Sequence, residues 1–191
     1  RSVCIVGNGA IAKTTALGFA QAGHSVTLLE PPARPGKTVD APTASAAQRP
    51  WDVRVYALNH TAHDLLTSLK VWGALDLARV AAVDAMDVHG DGKDGGSLGF
   101  DAFGARVGTL AWIVEDQNLN QALDAALKFA HNVQRVEGRA CELSSSDSGA
   151  SVRLEDGRRI DSDLLVGADG RESWVRGQCD IGVDYRMYHQ R

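Results

Sequence analysis

The first thirty residues contain two short apolar segments separated by an amphipathic one. Residues 3–6 form an apolar run of strand length, and a second run over residues 25–29 ends on Glu30. Between them, residues 13–21 place their apolar side chains on one face at helical spacing. This order predicts a strand, a tight turn, a helix and a second strand that closes on an acidic residue.

The turn after the first strand reads Gly7-Asn8-Gly9-Ala10-Ile11-Ala12. Gly7 allows a tight turn, Gly9 lets a pyrophosphate approach the main chain, and the small Ala12 lets helix and strand pack closely. The helix N-terminus offers free N–H groups to phosphates. Glu30 suits a ribose 2′-hydroxyl and disfavours a 2′-phosphate, which indicates FAD or NAD rather than NADP. The alternative is an α/β turn whose glycines serve packing only.

The middle of the chain predicts a second group of elements. A proline-rich irregular connection covers residues 31–50, and residues 53–58 predict a strand. Asn59 suits the N-cap of a helix whose inner face would bury four apolar side chains: Ala62, Leu65, Leu66 and Leu69. Residues 82–91 predict a strand, 90–99 a hairpin, 100–110 a strand pair, 111–114 an apolar strand and 117–131 an amphipathic helix.

The last third predicts a β-meander followed by a buried strand. Residues 133–136 lead into the meander. Residues 140–145 are predicted to pair with 151–154, and Asp156-Gly157 to turn the chain towards 159–160. The apolar run at 163–166 then ends in Gly167-Ala168-Asp169-Gly170. Asp169 there suits sugar hydroxyls, or alternatively a structural turn, and Ser173 suits the N-cap of a short helix that begins near it.

Composition restricts the functional classes. The chain has 191 residues and a formal net charge of −4, which gives no reason to expect nucleic acid. It has no run of 18 apolar residues and no visible signal peptide, and its three cysteines have no metal spacing. We expect structural thiols, with Cys4 buried, in a reducing cytoplasm. His60 and His63 are expected to be packing or solvated residues; no metal site and no catalytic acid, base or nucleophile is predicted.

The segment from Asp163 to Arg176 carries a more specific pattern. It reads Asp-Leu-Leu-Val-Gly-Ala-Asp-Gly-Arg-Glu-Ser-Trp-Val-Arg and resembles the Asp-Gly motif of flavoprotein aromatic hydroxylases, the group of p-hydroxybenzoate hydroxylase. Within that group the chain is similar to the ubiquinone-biosynthesis hydroxylases, on three further stretches: 54–58, 66–73 and 111–115. The resemblance runs in order along nearly the whole chain.

The resemblance implies the cofactors and the residues that contact them. FAD would be bound, with NAD(P)H as co-substrate, and Arg54 would contact the flavin cofactor unless it is a plain surface arginine. Gln117 stands near the position where the family places a flavin contact, although Asp116 departs from the family pattern. The implied cofactor-binding set is Gly7, Gly9, Ala10, Ala12, Glu30, Arg54, Gln117 and Asp169.

The implied architecture is an α/β fold with a Rossmann-like FAD-binding domain: a parallel sheet, helices on one side and a β-meander on the other. Residues 1–82 and 108–176 would form this domain, and 83–107 and 177–191 an incomplete substrate-domain sheet. The family's later Gly-Asp-Ala-Ala-His motif is missing, which indicates an N-terminal portion of a hydroxylase. An uncovered apolar sheet predicts a homo-oligomer.

The implied activity is hydroxylation of an aromatic ring, on a polyprenylated phenol, in ubiquinone biosynthesis. We expect a cytoplasmic location, with peripheral contact to the inner membrane or to a biosynthetic complex as a further expectation. Two alternatives remain: a non-catalytic flavin- or nucleotide-binding scaffold, and an NAD-dependent dehydrogenase. The Asp-Gly motif and the lack of a second mononucleotide half argue against the dehydrogenase.

Overall fold

The computed structural model describes residues 1–32, 50–92, 95–184 and 186. Most of the predicted connection at 31–50 and the last residues of the tail lie outside this range. The strands are β1 (Ser2–Val6), β2 (Ser25–Glu30), β3 (Val55–Leu58), β4 (Val80–Val83), β5 (Ala85–His89), β6 (Ser97–Asp101), β7 (Ala111–Glu115), β8 (Val133–Glu137), β9 (Ala140–Ser146), β10 (Gly149–Leu154), β11 (Arg159–Ser162) and β12 (Leu164–Gly167). The helices are α1 (Ala10–Gln21), α2 (His60–Ser68), α3 (Asp116–Leu127) and α4 (Trp174–Gln178).

The chain divides into two compact units. The first takes in Arg1–Lys37 and Ala130–Arg191, and the second is Thr38–Phe129. The predicted assignment of 83–107 and 177–191 to a substrate domain is a separate question and stays a prediction.

The first unit is built on a four-stranded parallel sheet in the order β12-β1-β2-β8. Its two central strands are β1 and β2, which pair from Ser2 with Ser25 through Val6 with Leu29. Strands at the centre of a parallel sheet are buried on both faces, which explains why β1 and β2 read as continuous apolar runs. The predicted strand–helix–strand order is confirmed.

The two faces of this sheet are covered differently. Helix α1 contacts β1 and β2, with Ala12 and Ala16 fully buried. On the other face, Cys4 and Leu29 share an apolar cluster with the meander β9–β11, centred on the fully buried Val152, and with Val175 of α4. The predicted arrangement of helix on one side and meander on the other is therefore confirmed for this unit.

Residues 133–136 precede the meander in the chain, as predicted, and the structure adds their pairing. As β8 they join the parallel sheet beside β2, from Val26 with Val133 to Glu30 with Glu137. The short alternating pattern of an edge strand fits either sheet, so the pattern alone did not choose between them. The meander itself runs β9–β10–β11 as predicted.

The second unit contains a three-stranded antiparallel sheet in the order β3-β7-β4 and the hairpin β5–β6. The predicted strand pair over 100–110 is wrong after Asp101, because the chain continues there as turns. Leu65 was predicted to be buried but is 47% exposed. Asn59 does cap α2, accepting a hydrogen bond from the Ala62 N–H at 2.9 Å.

The hairpin β5–β6 has one apolar face. Met86 lies opposite Phe100 and Val88 opposite Leu98, so all four side chains are on the same side of the hairpin. All four are exposed within the described residues. Among the helices of the described part of the chain, none is long and apolar enough to cross a membrane.

Candidate nucleotide-binding site

Gly7 is the point where three strand ends of the first unit meet. Its N–H donates to the Leu29 carbonyl at the end of β2, at 2.9 Å, and the Ala168 N–H donates to the Val6 carbonyl at 2.8 Å. Gly7 has a φ of +139°, and a β-carbon there would overlap the Ala168 carbonyl oxygen. Position 7 therefore requires glycine not only for the predicted tight turn but also because the turn after β1 contacts the loop after β12 there.

The N-terminus of α1 follows directly and is open. The first helical hydrogen bond runs from the Lys13 N–H to the Gly9 carbonyl, at 3.1 Å, so the N–H groups of residues 10–12 precede it. Among the described residues, no side chain caps this end and no acidic residue lies in its first turn. A β-carbon on Gly9 would meet no described atom within 4 Å. This end of the helix is thus free to bind an anion.

Glu30 lies at the end of β2 and is held by Arg135 of β8. Arg135 donates from Nε to Oε2 and from Nη2 to Oε1, each at 2.8 Å. The Glu30 carbonyl accepts from the Gly138 N–H at 3.0 Å. A carboxylate has roughly four acceptor positions, so the two taken by Arg135 leave room for a ribose hydroxyl. Arg135 was missed in the sequence because it lies 105 positions away.

Asp169 lies in the loop after β12, and its carboxylate is engaged by α4. Oδ1 accepts from the Ser173 hydroxyl at 2.5 Å, and Oδ2 accepts from the N–H groups of Trp174 at 2.6 Å and Val175 at 3.1 Å. Ser173 in turn accepts from the Arg176 N–H at 3.0 Å, as its predicted capping role requires. The geometry agrees with the structural alternative for Asp169, while its predicted contact with FAD stays a prediction.

Arg54 and Gln117 lie in the second unit, where Asp52 links them. The Asp52 carboxylate accepts from the Arg54 N–H at 3.0 Å through Oδ1 and from the Gln117 N–H at 3.1 Å through Oδ2. Both predicted residues are exposed. Asp52 was missed because nothing in its sequence context distinguishes it from a turn residue.

Asp116, the residue that departs from the family pattern, has partners of its own. Its Oδ1 accepts from the Tyr56 hydroxyl at 2.7 Å and from Asn120 Nδ2 at 2.8 Å. Burial and then the hydrogen bond to Asp116 raise the pKa of Tyr56, and the neighbouring Arg54 opposes this shift. Asp116 therefore organises the start of α3.

The two histidines considered as ligands pack against tryptophans in the second unit. The His63 ring stacks on Trp112, with centroids 4.4 Å apart and planes at 17°, and it meets the edge of Trp72 at 4.4 Å. His60 contacts Trp112 at 5.1 Å and hydrogen-bonds the Thr109 carbonyl. Over the described part of the chain, no group of three or more metal-ligating side chains occurs.

Known proteins with similar sequences share one activity in their names. The chain is 33% identical over 189 residues to 3-demethoxyubiquinol 3-hydroxylase of Escherichia coli, covering 98% of this chain and 46% of that protein. It is 30% identical over 191 residues to ubiquinone hydroxylase UbiL of Rhodospirillum rubrum, covering 98% and 41%. The chain thus spans somewhat less than half the length of these curated relatives. No protein-family model matches it.

Similar solved structures show the fold. PqsL, a probable FAD-dependent monooxygenase of Pseudomonas aeruginosa, matches with a TM-score of 0.71 at 21% identity, over 98% of this chain and 47% of that one. The flavin-dependent monooxygenase PieE, solved with FAD and substrate, matches with a TM-score of 0.70 at 21% identity, over 96% and 32%.

The fold is therefore that of the flavin-dependent monooxygenases. The sequence relatives narrow this class: the chain is a homologue of the ubiquinone hydroxylases over nearly its whole length. The resemblance read from the sequence is confirmed.

Proposed function

We propose that this chain is the FAD-binding portion of an FAD-dependent monooxygenase that hydroxylates an aromatic ring in ubiquinone biosynthesis. The observation that carries the proposal is the open N-terminus of α1 beside Gly7, with Glu30 held at the end of the next strand. A pyrophosphate needs hydrogen-bond donors, which the start of α1 offers, and an adenosine ribose needs an acceptor, which Glu30 offers. The names of the sequence relatives supply the reaction class.

The charges around Gly7 fit an anionic ligand. The two carboxylates of the predicted site would otherwise repel a pyrophosphate, but each is already engaged. Arg135 forms an ion pair with Glu30, and hydrogen bonds from α4 occupy Asp169. The free N–H groups at the start of α1 then remain as the donors directed outward from the turn. The residues present therefore suit the ADP half of FAD.

Each predicted residue has a defined task in this proposal. The N–H groups at the start of α1 would bind the pyrophosphate, and Gly9 would leave space for it. Glu30 would accept from the adenosine ribose, and Arg54 and Gln117 would contact the cofactor. Bound FAD would supply the redox chemistry of the hydroxylation, with NAD(P)H as the source of electrons. The chain itself would bind, orient and shield the cofactor.

A polyprenylated phenol is the substrate class that we propose. The support is the names of the two relatives described above, a 3-demethoxyubiquinol 3-hydroxylase and a ubiquinone hydroxylase. Homo-oligomerisation and peripheral contact with a membrane stay predictions. The exposed apolar face of the β5–β6 hairpin is compatible with the first of these.

The test of the cofactor proposal is retention of flavin by the purified chain. After incubation with FAD and removal of free cofactor, the chain should keep the visible absorbance bands of flavin. ADP should compete with FAD for binding and so reduce these bands. A chain that unfolds cooperatively yet binds neither FAD nor ADP would overturn the proposal. Hydroxylation of a ubiquinone precursor by the FAD-loaded chain, when it is supplied with NADH, would exclude the scaffold alternative.

Gly9→Ser is the matched variant for this test. Serine is a favoured N-cap residue, and a side chain at position 9 meets no described atom within 4 Å, so the fold should be unchanged or slightly stabilised. The new hydroxyl would bond the same N–H groups that the pyrophosphate needs. We expect flavin retention to fall sharply while the thermal midpoint holds. Equal flavin retention by the parent and this variant would place the phosphates elsewhere.

A further inference from the structure

Arg135 lies at the ribose end of the proposed site although neither glycine motif contains it. It stands on β8, where its Cα pairs with that of Leu28, two positions before Glu30 on β2. The guanidinium binds both oxygens of the Glu30 carboxylate through two parallel N–H donors. Such a fork fixes the plane of a carboxylate as well as its position.

We propose that Arg135 is a positioning residue for the adenosine ribose and that, with Glu30, it sets the preference for a 2′-hydroxyl over a 2′-phosphate. The assignment rests on the proposed FAD function and extends it to a residue outside the motifs. Arg135 acts through Glu30: it orients the acceptor, and Glu30 makes the contact with the hydroxyl.

The burial of the pair supports a positioning role. The Glu30 side chain is 14% exposed, whereas that of Arg135 is 42% exposed. The main chain at Glu30 is fixed separately, by the Gly138 N–H bond to its carbonyl. Loss of the guanidinium would therefore free the Glu30 side chain without releasing the strand. A freed side chain loses rotamer order and binds a ligand hydroxyl less well.

The same pairing explains how a 2′-phosphate would be rejected in spite of a nearby arginine. Arginine is the side chain that suits bidentate binding of phosphate, and in dinucleotide folds it can accommodate a 2′-phosphate. Here Glu30 already occupies the fork of Arg135 and adds its own negative charge. Removal of the Glu30 charge should therefore remove the repulsion of a 2′-phosphate beside the Arg135 guanidinium.

Isothermal titration with ADP, 2′-deoxy-ADP and 2′-phospho-ADP tests the assignment. The parent should prefer ADP to 2′-deoxy-ADP by roughly tenfold, as one hydrogen bond to a charged acceptor provides. In Arg135→Gln this preference should fall to within about twofold, and Arg135→Lys should keep only part of it because lysine lacks the fork. Glu30→Gln should lose the same preference and gain about tenfold for 2′-phospho-ADP.

The gain in Glu30→Gln should disappear in the double variant Glu30→Gln, Arg135→Gln. Arg153→Gln is the matched control, because Arg153 forms an exposed pair with Glu142 in the meander of the same unit; it should leave all three affinities at parent values. The assignment is overturned if Arg135→Gln keeps the parent's preference, or if it weakens ADP and 2′-deoxy-ADP by one common factor. A parent chain that binds neither ADP nor FAD overturns the proposed function itself, and the ribose assignment with it.

Discussion

The backbone carbonyl of Ala168 lies against the α-carbon of Gly7, so close that a β-carbon at position 7 would overlap it. This contact joins the turn after β1 to the loop after β12, and the Gly7 N–H joins both to the end of β2. Main-chain contacts thus join the turn after β1, the loop after β12 and the end of β2.

Gly7→Ala should destabilise the protein severely. The new methyl would meet backbone atoms, which have little freedom to move, and alanine would have to adopt a positive φ. We expect a loss of roughly 2–4 kcal/mol in the free energy of unfolding, measured by urea denaturation. Gly9→Ala is the control, since its β-carbon lies in open space, and it should lose less than about 1 kcal/mol. Equal losses in the two variants would contradict the contact.

Asp169→Ala should weaken α4 through loss of its cap. The carboxylate accepts from two N–H groups at the start of the helix, so the expected cost is about 1–2 kcal/mol. Ser173→Ala removes a neighbouring cap but leaves the carboxylate in place. If Asp169 also contacts FAD, its replacement should reduce flavin affinity more than Ser173→Ala does at the same stability. Flavin affinity is measured by fluorescence quenching. Equal reductions of that affinity in the two variants would leave Asp169 with the capping role alone.

Glu115→Gln should show that the second unit depends on one buried ion pair. Arg79 Nε lies 3.1 Å from both carboxylate oxygens of Glu115, and the two side chains are only 12% and 7% exposed. Loss of the carboxylate charge removes an opposite charge from beside a buried guanidinium, at a cost of about 3–5 kcal/mol.

The same variant has a salt-dependence test. The destabilisation should persist in 1 M NaCl, because a buried pair is poorly screened. Glu142→Gln removes the partner of Arg153 on the exposed meander and should leave the urea midpoint unchanged. A small, salt-sensitive effect for Glu115→Gln would mean that water reaches the pair.

Thiol labelling should distinguish Cys4 from the other two cysteines. Cys4 is fully buried in β1, and burial raises its pKa from 9.0 to about 11, whereas Cys141 and Cys179 are exposed. At pH 8 a chromogenic disulfide reagent should therefore titrate two thiols in the native protein and the third only after denaturation. Rapid labelling of all three would contradict the described packing of β1.

The same shift has a consequence for stability above neutral pH. A raised pKa means that the fold favours the protonated thiol, so the stabilisation is present below about pH 9 and is lost as the pH rises towards 11. Cys4→Ala should remove the contribution of Cys4 to the stability that is lost at alkaline pH. Tyr56, whose pKa is raised in the same direction, should account for a further part of this loss, and Tyr56→Phe should remove that part.

Local patterns predicted the elements around the site well. The strand–turn–helix–strand segment at the start of the chain and the hairpins of the meander were recognised because their signals lie within a few residues of each other. The N-caps Asn59 and Ser173 were correct for the same reason. Short-range side-chain and turn chemistry determines these features.

Long-range pairing could not be read in the same way. β8 was not assigned to the parallel sheet, and Arg135 was not linked to Glu30, because no local signal tells which strand lies beside β2. Turn residues after Asp101 include aromatic and branched side chains, and these suggested strands that the chain does not form. Asp52 and Asp116 were likewise recognised only once the fold brought their partners to them.

The parallel sheet has a consequence for biogenesis. Ser2 and Asp163, which hydrogen-bond across β1 and the start of β12, are 161 positions apart. At a synthesis rate of about 5–20 residues per second, roughly ten to thirty seconds pass between the synthesis of β1 and that of its partner strand β12. Until β8 and then β12 have been made, the outer edges of two highly apolar strands are open, and such edges recruit other chains. The nascent protein should therefore depend on a ribosome-associated chaperone until residue 167 has emerged.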